Sequence, residues 1–189
     1  MKNNRIKLAY CPTRRDVFSR SEAIKFNEKI RLQLEEFPVE IVDLEGINEE
    51  KLLFQDCDIQ TVIDRFVEAK VDAVFFPHCN FGSENRVAQV AKALNVPVLL
   101  WGPRDDAPDE SGLRSRDSQC GMFATGKVLR RYNVPFTYLT NSWIGSQEFK
   151  DGMKRFIAVA NVVKAVKNLN ILQISTRPEP FCSVICNEN

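Results

Sequence analysis

The sequence predicts an α/β fold, in which helices cover both faces of a doubly wound, mainly parallel five-stranded sheet. Three observations carry this expectation. Apolar runs of strand length alternate with amphipathic stretches of helical period along almost the whole chain. Strand, crossover helix and parallel strand repeated in this way build a right-handed, two-sided sheet. The chemically unusual residues all follow the carboxyl ends of strands, whereas the opposite turns, such as "FPVE", "KVDA" and "LNVP", are terse.

The elements follow in order. "RIKLAYC" (5–11) reads as the first strand and leads to a helical pattern over 21–36. "VEIVDL" (39–44) is the second strand, followed by a helix over 59–70. "DAVFFP" (72–77) precedes a helix at 84–94, and "PVLLW" (97–101) precedes one at 121–132. "FTYLT" (136–140) is the fifth strand. The last helix, 146–167, places Phe149, Met153, Phe156, Ala160 and Val163 on one stripe. Five such strands suggest the flavodoxin-like order 2-1-3-4-5 in a Rossmann-like three-layer arrangement. "NILQIST" (170–176) reads as a further strand, which either pairs at a sheet edge or opens another domain. The expected division is an amino-terminal α/β domain over 1–168 and the start of a truncated second domain over 169–189. No internal repeat or low-complexity linker interrupts the chain.

Composition narrows the function. A length of 189 residues suits one sizeable domain, with or without a fragment of a second. A net charge of +1 gives no bulk attraction to nucleic acid or to an anionic membrane. No apolar run approaches the roughly 20 residues that span a bilayer. "MKNNRIKLAYCPTRR" has too short an apolar core for a signal peptide, so a cytoplasmic location is expected. The 6 cysteines include no C-x-x-C pair, and the single histidine, His78, cannot build a histidine-rich zinc site within one chain.

Ligands of open α/β sheets bind beyond the carboxyl ends of the strands, so the loops there hold the candidates. In "NFGSENR", Gly82 and Ser83 stand directly ahead of a helix. Backbone N–H groups there suit a phosphate, carboxylate or sugar hydroxyl, and Ser83 also suits a plain N-cap; the two readings can coexist. Arg14, Arg15 and Arg20 either hold an anion, touch a neighbouring subunit or form a solvated basic loop. Asp105, Asp106, Asp109 and Glu110 lie among Pro, Gly and Ser, which favours a solvated loop over a hard-cation site. Trp101 stacks on a sugar, fills a subunit contact or packs in the core. Cys79 follows His78, but neighbours on a strand face opposite ways, so a thiol–imidazole catalytic pair is not expected. No G-x-G-x-x-G follows the first strand and no Walker A stretch is present. The topology gathers Arg15, Asn80, Ser83, Glu84, Trp101 and Arg104 around one cleft.

"FFPHCNFGSENRVAQVAKALNVPVLLWGPRDD", followed by "LRSRDSQCGMFATGKVLRRYNVPFTYL", resembles the amino-terminal domain of the L-fucose/L-arabinose isomerase family. The closing "ISTRPEPFCSVICNE" is similar to the segment where those enzymes enter their second domain. The resemblance implies an oligomeric aldose–ketose isomerase using a divalent metal, usually manganese, with metal ligands and catalytic carboxylates in later domains. It implies no cofactor in this chain, and it transfers no catalytic and no metal-binding residue. It implies a substrate-pocket wall, with Arg15 in the Arg-rich loop that reaches the sugar. Cys79 stands where fucose isomerases carry an aromatic pocket residue ahead of "GSE". The expected partners are the sugar, the missing carboxy-terminal domains and further copies of the chain, with no nucleic acid and no membrane. Taken alone, the chain is expected to be inactive. The alternative is a free-standing small-ligand-binding or oligomerisation module without turnover.

Overall fold

The computed structural model describes residues 5–174 apart from 109, 171 and 173. Five strands form one sheet: β1 (Ile6–Tyr10), β2 (Val39–Val42), β3 (Ala73–Pro77), β4 (Val98–Trp101) and β5 (Thr137–Tyr138). Their order is β2-β1-β3-β4-β5, and every pairing is parallel. The helices between them are α1 (Arg20–Gln33), α2 (Asp58–Glu68), α3 (Glu84–Leu94), α4 (Ser118–Arg131) and α5 (Gln147–Lys167). The expected three-layer fold and strand order are those observed. The further strand expected at 170–176, and with it the second-domain segment to 189, falls largely outside the described residues.

Side-chain alternation along the strands divides the apolar interior in two. Ile6, Leu8, Tyr10, Phe75, Leu99 and Trp101 face α1 and α5. Ala9, Cys11, Val74, Phe76, Val98 and Leu100 face α2, α3 and α4. Each central strand is therefore apolar at consecutive positions, as a sheet covered on both faces requires. β5, at one edge of the sheet, is two exposed residues long.

Local chemistry sets the helix ends. The Ser19 hydroxyl accepts from the Glu22 N–H at 3.2 Å and opens α1, a cap of about 1 kcal/mol. Asn95 in the left-handed region (φ 48°) closes α3, and Pro97 follows. α4 starts three residues before the pattern suggests, because Gly121 is a packing residue inside the helix and not its boundary.

Candidate functional site

The loops after β1 and β3 are joined into one rim at the carboxyl end of the sheet. Parallel pairing continues past both strands. The Thr13 N–H donates to the Pro77 carbonyl at 3.0 Å, and the Cys79 N–H to the Thr13 carbonyl at 3.0 Å. Asn80 is fully buried and ties the two loops together. Its Oδ1 accepts from the N–H groups of Arg15 (2.8 Å) and Gly82 (3.1 Å), and its Nδ2 donates to the Arg15 carbonyl at 3.2 Å. The loops after β1 and β3 thus meet at one rim.

Ser83 behaves differently from the cap that its position suggests. Its hydroxyl makes no cap bond but donates to the Arg14 carbonyl at 2.8 Å, and its N–H donates to Thr13 Oγ1 at 3.0 Å. The N–H groups of Gly82 and Ser83 are therefore both satisfied within the protein. The anion cradle expected there is occupied by Asn80 and Thr13.

Arg15 projects from this scaffold. Its Nη2 donates to Glu84 Oε1 at 2.5 Å, and its guanidinium lies 4.3 Å from the centre of the Phe81 ring. The two side chains remain 34% and 28% exposed, so the ion pair is partly open to solvent. A shallow cavity of about 370 Å³ adjoins it, lined by Glu84, Asn85, Arg86, Arg131 and Tyr132 among others. The neighbouring arginines are committed elsewhere. Arg14 is buried, stacks 3.6 Å from the Phe54 ring centre and pairs with Glu50, which also takes Arg20 at 2.8 Å. Of the three, Arg15 is the one that pairs with Glu84, whereas Arg20, although exposed, is held by Glu50.

Two of the expected pocket residues lie in the core. Cys79 has no exposed surface; burial pushes its thiol well above the ordinary range, against a smaller opposite influence from Arg116. Trp101 is likewise enclosed, its ring centre 4.4 Å from that of Phe149 and its Nε1 donating to Ser142 Oγ at 3.1 Å. Neither side chain reaches the rim, because both occupy inward positions facing α1 and α5. Arg104 is exposed on the loop after β4, with its guanidinium 5.7 Å from the Trp143 ring centre. Sequence reasoning missed Phe81, Tyr132 and Trp143. An aromatic flanked by the "N-x-G" turn was the available signal for Phe81.

His78 lies beneath the rim. Its Nδ1 bonds the Phe81 carbonyl at 2.6 Å, and its Nε2 is enclosed without a hydrogen-bond partner among the described residues. Desolvation lowers its pKa to about 4, opposed by the Phe81 bond and assisted by the Arg15 charge. A folded-state pKa below the unfolded value of about 6.5 means that the unfolded chain binds more protons between the two. Stability should therefore fall as pH drops from 7 to 5, by about 2 kcal/mol from this group. Urea denaturation at both pH values checks this: His78→Gln should remove that part of the slope.

Five parallel strands in the order β2-β1-β3-β4-β5, with helices on both faces, define a doubly wound α/β domain. Within that class the family is defined. Residues 9–167 match the family model of the fucose/sulfoquinovose isomerase N-terminal domain, and the chain belongs to this family. No curated protein matches it. No helix among the described residues is long and apolar enough to cross a membrane.

Proposed function

We propose that this chain acts as the amino-terminal module of a sugar isomerase, where it supplies a wall of the substrate pocket and contacts between subunits without carrying the chemical step. The Arg15–Glu84 pair is the observation that carries this reading. A guanidinium and a carboxylate side by side, backed by the Phe81 ring, offer a donor and an acceptor to adjacent sugar hydroxyls. Asn80 and Ser83 hold this pair in place from below.

The divalent metal implied by the family resemblance, usually manganese, does not fit the described residues. They contain no group of three or more His, Cys, Asp or Glu side chains able to hold an ion. His78 is enclosed, and Asp105 and Asp106 face a buried arginine. Aldose–ketose conversion would then draw its metal ligands and its general acid and base from other domains. The partners that follow are the sugar, those domains and further copies of the chain, in the cytoplasm. The exposed Val159, Val162 and Val166 on α5 favour a protein contact on that helix.

Calorimetric titration with L-fucose and L-arabinose tests the wall. Arg15→Ala should weaken binding by about 1–3 kcal/mol. Equal affinity in the variant would refute the role of Arg15. Manganese-dependent turnover by this chain alone, abolished by a chelator, would refute the non-catalytic role.

A further inference from the structure

The cavity beside Arg15 carries more positive charge than a wall for a neutral sugar requires. Arg15, Arg86 and Arg131 all line its volume of about 370 Å³. Glu84 is the one carboxylate on that lining, and Arg15 already neutralises it at 2.5 Å. Three guanidiniums against one carboxylate leave two positive charges with no counter-charge on the wall. They come from the loop after β1, the start of α3 and the end of α4, so the fold and not local sequence gathers them.

Neither remaining arginine is compensated from within. Arg86 donates from Nε to Asp56 Oδ1 at 2.8 Å and from Nη1 to Ser83 Oγ at 3.1 Å. The Asp56 side chain lies outside the lining and is 78% exposed, so water screens that ion pair. Arg131 closes α4, is exposed, and has no hydrogen-bond or ion-pair partner among the described residues. Between them, the Tyr132 hydroxyl donates to Asn85 Oδ1 at 2.8 Å and ties the end of α4 to the first turn of α3. Like charges held against one cavity repel, and an anion placed there reverses that cost.

We infer that this cavity is an oxyanion site, so that the sugar meeting Arg15 is one that carries a phosphate or a carboxylate. The inference rests on the reading of Arg15 as a pocket wall and narrows its substrate to an anionic monosaccharide. A guanidinium offers paired N–H donors to two oxygens of such a group, and charge-assisted bonds of this kind are about twice as strong as neutral ones. Arg86 and Arg131 take the anion, while the Arg15–Glu84 pair is left to the ring hydroxyls. A neutral sugar would gain little from Arg131, whose charge it cannot match. A divalent cation is disfavoured, because the one carboxylate on the wall is already paired.

Calorimetric titration of the full chain at low ionic strength tests the site with L-fucose, D-glucose 6-phosphate, D-glucuronate and inorganic phosphate. At least one anionic sugar should bind about tenfold more tightly than L-fucose, and inorganic phosphate should compete with it. Arg86→Gln and Arg131→Gln should each weaken that binding by about fivefold or more. Arg130→Gln, which removes the same charge from an exposed neighbour off the lining, should leave it unchanged. If Arg86→Gln does not fold, the exposed Arg131 decides the question. Equal or tighter binding of L-fucose, full affinity in Arg131→Gln, or an equal loss in Arg130→Gln would overturn the site. L-Fucose binding that depends on Arg15, with no gain from either anionic sugar, refutes the oxyanion site and leaves the wall standing. Binding of inorganic phosphate through Arg86 and Arg131 with no sugar bound supports the oxyanion site and refutes the wall.

Discussion

Gly121→Ala is expected to destabilise the protein by about 3 kcal/mol or more and to disorder the rim around Arg15. Gly121 lies in the first turn of α4, where the helix meets the loop after β3. A Cβ placed there would overlap the Phe81 carbonyl oxygen, lie 2.6 Å from its carbon and 2.9 Å from its Cα. These are backbone atoms, so no rotamer change relieves the overlap. The same carbonyl accepts from His78, so moving it also disturbs a buried bond. Gly126, one turn and a half further on, provides the control. Its nearest neighbours would be the Phe136 ring at 3.2 Å and 3.6 Å, a side chain that can give way. Gly126→Ala should cost little, because the gain in helix propensity of about 1 kcal/mol offsets the crowding. Urea denaturation of both variants separates the two cases. Similar stabilities would show that the close approach at Phe81 does not hold α4 in place.

Elements whose cause is local were legible in the sequence. Continuous apolar runs at 72–77 and 97–101 imply strands covered on both sides, and the sheet buries both faces there. The terse turns at one end and the polar loops at the other correctly located the face where Thr13, Asn80 and Arg15 meet. The failures have long-range causes. Ser83 has the sequence setting of an N-cap, yet its hydroxyl is taken by the Arg14 carbonyl, a partner 69 residues away. "QCGM" reads as a boundary because glycine weakens helices, whereas the approach of Phe81 demands that glycine inside α4. Arg116 in "LRSRDSQ" has the composition of a solvated turn. Only the path of the loop over α1 puts its charge on Phe26 and out of water. Desolvation lowers its pKa accordingly, against the pull of Asp105 and Asp106. A charged residue enclosed by tertiary packing leaves no periodic trace in the sequence.

Trp101 offers the second large effect, and it separates a core role from a ligand role. The residue ends β4 with no exposed surface, packed between Phe75 and Phe149. Removing the indole leaves a cavity whose walls belong to β3 and α5, neither of which can collapse inward without losing other contacts. Trp101→Ala should therefore cost about 4 kcal/mol, the usual range for a large aromatic in a close-packed interior. Trp101→Phe keeps most of the apolar volume but abandons the Nε1 bond to Ser142, which leaves that hydroxyl with one partner fewer. A loss of about 1–2 kcal/mol is expected for it. The two variants should differ little in sugar affinity per mole of folded protein, since the indole is enclosed and does not reach the Arg15 rim. Denaturation curves and calorimetry on the same samples give both quantities. If Trp101→Phe binds sugar much more weakly at unchanged stability, then the ring reaches the ligand and its enclosure in the α1–α5 core is not what the binding protein retains.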